Sequence, residues 1–169
     1  MTFEVKPCLL KDLDTILAME NEAIASMERK DMLRHNGREM LSSCLQPPHL
    51  TLGAFSENET LTAIAVLYVP KTRTGDDLSQ YLTKNKPQHA ANFKLCIVRP
   101  QYRGNHLMRH LGEAIIREAK ARGFDGLCST VSPYNPASYR SLEALGFSLD
   151  STFEHYTGNL LRRLYYLPL

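Results

Sequence analysis

The sequence has no apolar run long enough to cross a membrane, and its net charge is small. A membrane-spanning helix needs about 20 predominantly apolar residues, and every run here is shorter. Twenty Lys and Arg stand against eighteen Asp and Glu, a net charge of +2, which disfavours nucleic-acid binding through overall charge. The first residues, "MTFEVKPCLLKDLD", carry charges too early for a signal peptide. We therefore expect a cytoplasmic protein with neither a membrane nor a nucleic acid as partner.

The cysteines form no C-x-x-C pair. The four of them, Cys8, Cys44, Cys96 and Cys128, are far apart in the sequence. This spacing is not that of a zinc site or a small disulfide framework. We interpret them as buried free thiols of a reducing compartment and expect no metal.

Two common nucleotide-binding patterns are also missing. There is no G-x-x-x-x-G-K-[ST], and no G-x-G-x-x-G follows the first predicted strand. Internal repeats and low-complexity tracts are absent too. A chain of 169 residues that is 43% hydrophobic suits one domain over residues 1–169 with a sizeable core.

Apolar periodicity predicts a mixed α/β domain with the order β, α, α, β, β, β, α, β, α, β, β. The first helix, in "KDLDTILAMENEAIASM", has an apolar face that also contains Glu20. The strand–helix–strand unit at residues 92 to 131 is expected to be parallel. The polar residues 70 to 90, with a helical turn at "DDLSQYL", are either a lid or binding loop or a tolerated excursion.

The segment "RPQYRGNHLMRHL", residues 99 to 111, joins the apolar strand "FKLCIV" to a helix. A tight loop that leads into a helix presents unpaired N–H groups, and the helix dipole adds partial positive charge. Together they form an anion site suited to a pyrophosphate. Arg103 adds charge, and Gly104 allows close approach of the backbone. The alternative is a solvated surface turn.

A second motif, "TVSPYNPASYRSLEALGF", follows one strand later, with Asn135 as N-cap, Pro136 at the first helical position and Gly146 as the stop. The two motifs together resemble the acyl-CoA site of the GNAT superfamily of N-acetyltransferases. The family patterns are V-x-P-x-Y-R-G-x-G-x-G/A and N-x-x-(A/S)-x-x-x-(Y/L)-E-x-x-G-F. The matching residues are Val98, Pro100, Tyr102, Arg103, Gly104, Asn135, Ser138, Leu142, Glu143, Gly146 and Phe147.

The resemblance implies a GNAT-like acyl-CoA N-acyltransferase fold, a mixed central sheet of about seven strands with helices on both faces. It also implies acetyl-CoA as cosubstrate, with its pantetheine arm between a fourth and a fifth strand that part. The implied cofactor-binding residues are Cys96, Ile97 and Val98 on the strand edge, Arg103, Gly104, Asn105, His106, Leu107 and Met108 at the pyrophosphate, and Asn135 and Ser138 beside the arm.

The chain departs from the family pattern in the loop. The second loop glycine is His106 and the third small residue is Met108. Backbone N–H groups tolerate such changes if the side chains point away, and we expect His106 to point to solvent. The alternative is that His106 adds a hydrogen bond or a partial charge to the phosphate. If the position requires positive φ, histidine costs about 1 kcal/mol or more there.

The second departure concerns catalysis. Many family members have a tyrosine seven residues after the asparagine, as the acid that protonates the departing thiolate, and here that residue is Leu142. Ser138 and Tyr139 are the candidate acids in its place, and the N–H of Val98 is the candidate oxyanion donor. The strand "ANFKLCIV" lacks the Glu that often serves as base; His89, Asp76, Asp77 and Glu154 are loosely placed alternatives.

The resemblance thus implies an N-acetyltransferase that moves an acetyl group from acetyl-CoA to a primary amine of a small molecule or peptide. The alternative is a non-catalytic acyl-CoA sensor or regulatory module. The sequence does not identify the amine, and a homodimer stays open because a second chain could complete the acceptor pocket.

Overall fold

The computed structural model describes residues 2–71 and 74–169. The strands are β1 (Phe3–Pro7), β2 (Leu50–Ser56), β3 (Leu61–Tyr68), β4 (Ala90–Val98), β5 (Gly126–Val131), β6 (Ser148–His155) and β7 (Leu160–Pro168). The helices are α1 (Leu13–Ala25), α2 (Gly37–Cys44), α3 (Leu107–Ala121) and α4 (Pro136–Ala144). The predicted order of strands and helices is confirmed.

The strands form one sheet in the order β1-β2-β3-β4-β5-β7-β6. Only β4 and β5 run parallel, joined by α3, and the other neighbours are antiparallel. Strand β3 is buried along its whole length, as expected for a strand covered on both faces. Helices α3 and α4 pack on one face of the sheet, and α1 and α2 pack on the other.

The helix ends follow the predicted local signals. The Asn135 side chain accepts a hydrogen bond from the Ser138 N–H at 3.2 Å and so caps α4. Gly123 after α3 and Gly146 after α4 have φ of +78° and +98°, a conformation that glycine adopts without strain. These residues fix where α3 and α4 begin and end, and therefore how the loops before them are presented.

Glu20 of α1 is fully buried and joins the two helices of its layer. Its Oε1 accepts hydrogen bonds from the backbone N–H of Asn36 at 2.9 Å and from the Asn36 side chain at 2.7 Å. A buried carboxylate is tolerated when such donors compensate its lost hydration. Glu20 therefore positions the segment that leads into α2.

The polar segment at residues 70 to 90 packs on the sheet in the part that the structure describes; residues 72 and 73 lie outside it. Leu78 and Leu82 are buried in a cluster with Cys128, Leu164 and Tyr166. The predicted helical turn is a 3-10 turn at Leu78–Tyr81. Within residues 2–71 and 74–169, no helix is long and apolar enough to span a bilayer.

Candidate functional site

Strands β4 and β5 part after three residue pairs. They pair at Ala90 with Gly126, Ala91 with Leu127 and Asn92 with Cys128, and at no later residue of either strand. From residue 93 to Val98, β4 pairs only with β3. The predicted separation of these strands is confirmed, and it leaves an open edge of β4 facing the end of β5.

Two amides of this edge point into the gap. The Arg99 N–H donates to the Thr62 carbonyl on the β3 side at 2.9 Å. Successive N–H groups of an antiparallel strand point to opposite edges. The N–H groups of Val98 and Cys96 therefore face the gap, where an extended ligand could accept hydrogen bonds from them.

A β-bulge at Leu95 shapes the middle of β4. Leu95 has φ of +46°, and the register with β3 shifts between Ile64 and Val66. Bulges bend a strand and redirect its side chains. Here Leu95 packs on the α1–α2 face, as does Lys94, whose Nζ lies 3.6 Å from the Met40 sulfur. The bulge therefore places a cation beside the gap.

A cavity of about 670 Å³ passes through the gap, a size typical of small-molecule and cofactor sites. Its wall includes the open part of β4, the end of β5, the start of α4 and the end of α1. Seven of the predicted cofactor-binding residues line it: Cys96, Ile97, Val98, Arg103, Met108, Asn135 and Ser138. Gly104, Asn105, His106 and Leu107 are not among the described residues of the wall.

The loop before α3 presents a row of free amides at the cavity mouth. The amides from Gly104 to Met108 have no acceptor among residues 2–71 and 74–169. The Asn105 side chain donates to the Tyr102 carbonyl at 2.9 Å and so braces the loop. Gly104 has φ of +84°, and a Cβ built there meets nothing within 4 Å. The loop therefore has the backbone of an anion site.

His106 occupies a left-handed conformation, with φ of +57° and ψ of +20°. It is exposed, as expected, and its carbonyl accepts the first bond of the helix from the His110 N–H at 3.1 Å. The position thus requires the positive φ that glycine supplies without cost, and His106 carries the strain described above.

Replacing His106 with glycine relieves this strain. We therefore expect the free energy of unfolding of the His106→Gly variant to exceed that of the His110→Gly variant by about 1 to 2 kcal/mol. His110 is the matched control because it is exposed and helical in α3. Urea denaturation of the two variants measures the difference. Equal stabilities would show that the left-handed conformation at His106 costs nothing.

Asn135 and Ser138 line the cavity beside the gap. Capping uses the Asn135 side-chain oxygen, which leaves its NH₂ as a donor. Leu142, which replaces the usual tyrosine, also lines the cavity and is 1% exposed. Tyr139 is not in the described wall; its ring lies 4.5 Å from the Arg163 guanidinium. Ser138 is therefore the better placed candidate acid, and both assignments stay predictions.

Of the four loosely placed base candidates, Asp76 is the one that the structure brings into the described wall of the cavity. Its carboxylate accepts from the Tyr68 hydroxyl at 3.3 Å, and its backbone carbonyl accepts from the Asn92 side chain at 2.6 Å. Asp77 instead caps the following 3-10 turn by accepting from the Ser79 N–H. His89 and Glu154 are exposed.

Four cations in the described cavity wall were not predicted: Arg29, which is exposed, and Arg34, Lys94 and Arg162. Burial lowers the pKa of Lys94, and the nearby Arg34 lowers it further. Burial also lowers the pKa of Arg162, and the nearby Arg34 lowers it further. The lysine inside the apolar run "FKLCIV" was a usable signal for Lys94, because an apolar strand rarely contains an unpaired charge. Arg34 and Arg162 reach the cavity only through the tertiary fold.

The described part of the chain contains no group of three or more His, Cys, Asp or Glu side chains that could hold a metal ion. The expected absence of a metal stays a prediction. The described cysteines are free; Cys8, Cys44 and Cys128 are buried, whereas Cys96 is half-buried and lines the cavity.

Solved structures of acetyltransferases share this architecture. An N-acetyltransferase from Staphylococcus aureus Mu50 superposes with a TM-score of 0.74 at 19% identity, covering 99% of each chain. A phosphinothricin acetyltransferase from Sinorhizobium meliloti, in complex with acetyl-CoA, has a TM-score of 0.76 at 16% identity, covering 100% of this chain and 89% of its own. A GCN5-related N-acetyltransferase from Kribbella flavida has a TM-score of 0.73 at 19% identity, covering 99% of this chain and 98% of its own.

These likenesses, all below 25% identity, establish the fold. A comparison with curated protein sequences found no match. The sequence profile of the Acetyltransferase (GNAT) family matches residues 11–147, which include the parted strands, the loop before α3 and the start of α4. On this match and on its fold, the chain belongs to the GNAT acetyltransferase family.

Proposed function

We propose that the protein is an N-acetyltransferase that transfers an acetyl group from acetyl-CoA to a primary amine. The observation that carries the proposal is the cavity between the parted strands, which runs from the open edge of β4 to Arg103 and Met108, the residues on either side of the loop before α3. An extended amide-bearing arm fits an unpaired strand edge, and a diphosphate fits the start of a helix. Both features occur here in the order in which acetyl-CoA carries these groups.

The residues of the site divide by the part of the cosubstrate that they would meet. Cys96 offers its N–H group to the pantetheine arm and Val98 offers its N–H group to the thioester carbonyl, and the Asn135 NH₂ lies across the gap from them. The amides from Gly104 to Met108 offer donors to the pyrophosphate, with Arg103 adding charge at the mouth. Each assignment matches the chemistry of the group. The amide carbonyls of the arm can accept hydrogen bonds from the N–H groups of a strand edge, and phosphate oxygens can accept from several N–H groups at the start of a helix.

The reaction needs a neutral amine next to the thioester. The amine nitrogen attacks the carbonyl carbon, a C–N bond forms, and the C–S bond breaks to release the thiolate. Asp76 is the candidate base that takes the amine proton, since a primary alkylamine is protonated at neutral pH. The Val98 N–H is the candidate donor to the oxygen that gains charge. Positioning of the two reactants supplies much of the acceleration.

Protonation of the leaving group has two candidates. Ser138 lies in the cavity wall and is favoured over Tyr139, which packs against Arg163. A thiolate is a fair leaving group, so an acid stronger than a hydroxyl is not required.

Saturating CoA should raise the melting temperature by roughly 5 to 10 °C at about 100 times its dissociation constant. A panel of primary amines with acetyl-CoA should then release free thiol with at least one member. Thermal shift and a thiol-reactive dye measure the two effects. The absence of a shift would remove CoA as ligand.

The second candidate function is a non-catalytic acyl-CoA sensor, and the observation that favours it is Leu142, an apolar residue of the cavity wall where many relatives have a tyrosine. The same panel separates the two functions. Tight CoA binding without thiol release for any amine would support the sensor.

A further inference from the structure

The acceptor side of the cavity is unusually rich in positive charge. Lys94 packs against α2 through Met40, and Arg162 donates at 2.8 Å to the carbonyl of Asp31, between α1 and α2. Arg34 precedes α2 and lies over the Tyr156 ring at 4.5 Å. All three therefore belong to the α1–α2 face, whereas the loop before α3 and the helix α4 belong to the opposite face.

None of these three cations forms an ion pair within residues 2–71 and 74–169. Arg162 is 4% exposed, and its guanidinium donates to two backbone carbonyls, of Leu161 at 2.9 Å and of Asp31. The Lys94 Nζ lies 4.5 Å from the centre of the Tyr68 ring. Ring faces and carbonyls stabilise a cation without cancelling its charge.

Other charged groups near the cavity do not neutralise this cluster. Glu28 and Arg29 are exposed at the rim, and Arg29 already pairs with Asp31 at 2.8 Å. Burial lowers the pKa of Lys94 more than the nearby Asp76 and Glu20 raise it, and the Glu20 Oε1 is already bound to Asn36. Among residues 2–71 and 74–169, the cavity wall contains the carboxylates of Glu28 and Asp76 and five cations, which are Arg29, Arg34, Lys94, Arg103 and Arg162. Partly buried positive charge in excess of the neighbouring carboxylates is unfavourable, so the wall favours an anionic ligand.

We propose that the acceptor amine carries a carboxylate, and that this enzyme acetylates a small free amino acid or a close analogue. This rests on the proposed function. The carboxylate would lie among Arg34, Lys94 and Arg162, because a guanidinium binds a carboxylate with two parallel hydrogen bonds. The amine would lie toward Asp76, which shares Tyr68 with Lys94. A carboxylate and an amine a few atoms apart in one small molecule match cations and a carboxylate that lie close together in the wall.

The test compares each amino acid with its C-terminal amide, which keeps the amine and the side chain but removes the negative charge. Acetyl-CoA-dependent thiol release from the full chain is measured for about twenty such pairs. For the best pair, we expect kcat/KM to be at least about 100-fold higher for the acid than for the amide. Equal values for acid and amide in every pair would overturn the proposal while leaving acetyl transfer intact.

Substitutions of the cations in the cavity wall test whether these cations cause the preference for the acid over the amide. Arg34→Gln and Lys94→Met should each reduce the acid-to-amide ratio of kcat/KM by about 10-fold or more. Both residues are half-buried, so these variants are safer for folding than a change at buried Arg162. Arg38→Gln is the matched control, because Arg38 is exposed and pairs with Asp14 outside the cavity. An unchanged ratio in both wall variants would refute the assignment of the cations.

A binding measurement keeps the two proposals separate. If no pair releases thiol, the melting temperature with desulfo-CoA is compared in the presence of each acid and each amide. A shift with an acid but not with its amide would uphold the carboxylate site. No shift with any acid would reject the carboxylate site, whereas the transferase is judged separately by thiol release across the panel of primary amines.

Discussion

Gly104→Glu weakens CoA binding by about 100-fold or more relative to Gly104→Gln, while both variants stay folded. Gly104 lies between Arg103 and Met108, which line the cavity, and its Cβ position is open. A glutamate there places a carboxylate where the pyrophosphate is proposed to bind. Two unit charges 4 Å apart repel by about 4 kcal/mol at an effective dielectric constant of 20.

Gly104→Gln is the control because it has the same shape and the same backbone strain at φ of +84°. Strain costs about 1 to 2 kcal/mol in both variants and cancels in the comparison. Titration calorimetry measures the two affinities, and the difference should shrink at 1 M salt, where charge repulsion is screened. Equal affinities of the two variants would show that the diphosphate does not bind at this loop.

Asp76→Asn lowers kcat by about 100-fold or more for the best amine found by screening, with little change in CoA affinity. General bases contribute typically 10² to 10⁴ in rate, and the amide cannot take a proton. Its oxygen can still accept from the Tyr68 hydroxyl, which Asp76 contacts at 3.3 Å, so the fold should be retained. Steady-state kinetics and CoA titration measure the two effects.

Glu154→Gln is the matched control, since it makes the same chemical change at an exposed residue of β6. It should leave kcat unchanged. If Asp76→Asn retains the full kcat at saturating amine, Asp76 is not the base, and the amine would have to bind in its neutral form.

Most of the fold was predictable from interactions between residues that are close together in the sequence. The order of elements, the cap at Asn135 and the glycine after each of α3 and α4 follow from interactions within a few residues. The loop before α3 was predictable for the same reason, because a strand, a turn and a helix in sequence impose free amides at the helix start. The positive φ at His106 was not predictable from the sequence, because histidine rarely adopts this conformation.

The acceptor side was not predictable. Arg34 and Arg162 are 128 residues apart (34 and 162). They come close because β7 lies next to β5 and the segment before α2 covers the same face of the sheet as the Arg162 side chain. Asp76 was one of four equal candidates for the base until the packing of residues 74 to 90 placed it in the wall. No local pattern encodes such contacts, since they depend on the order of strands in the sheet.

By itself, the sequence determined the helices and strands, their ends and the loop of free amides before α3, because hydrogen bonds and apolar periodicity act over a few residues. The tertiary structure decided where β4 and β5 part, which side chains line the gap and which charges stay unpaired there. These depend on contacts between residues far apart in the chain, brought together by burial of the two apolar layers on the sheet.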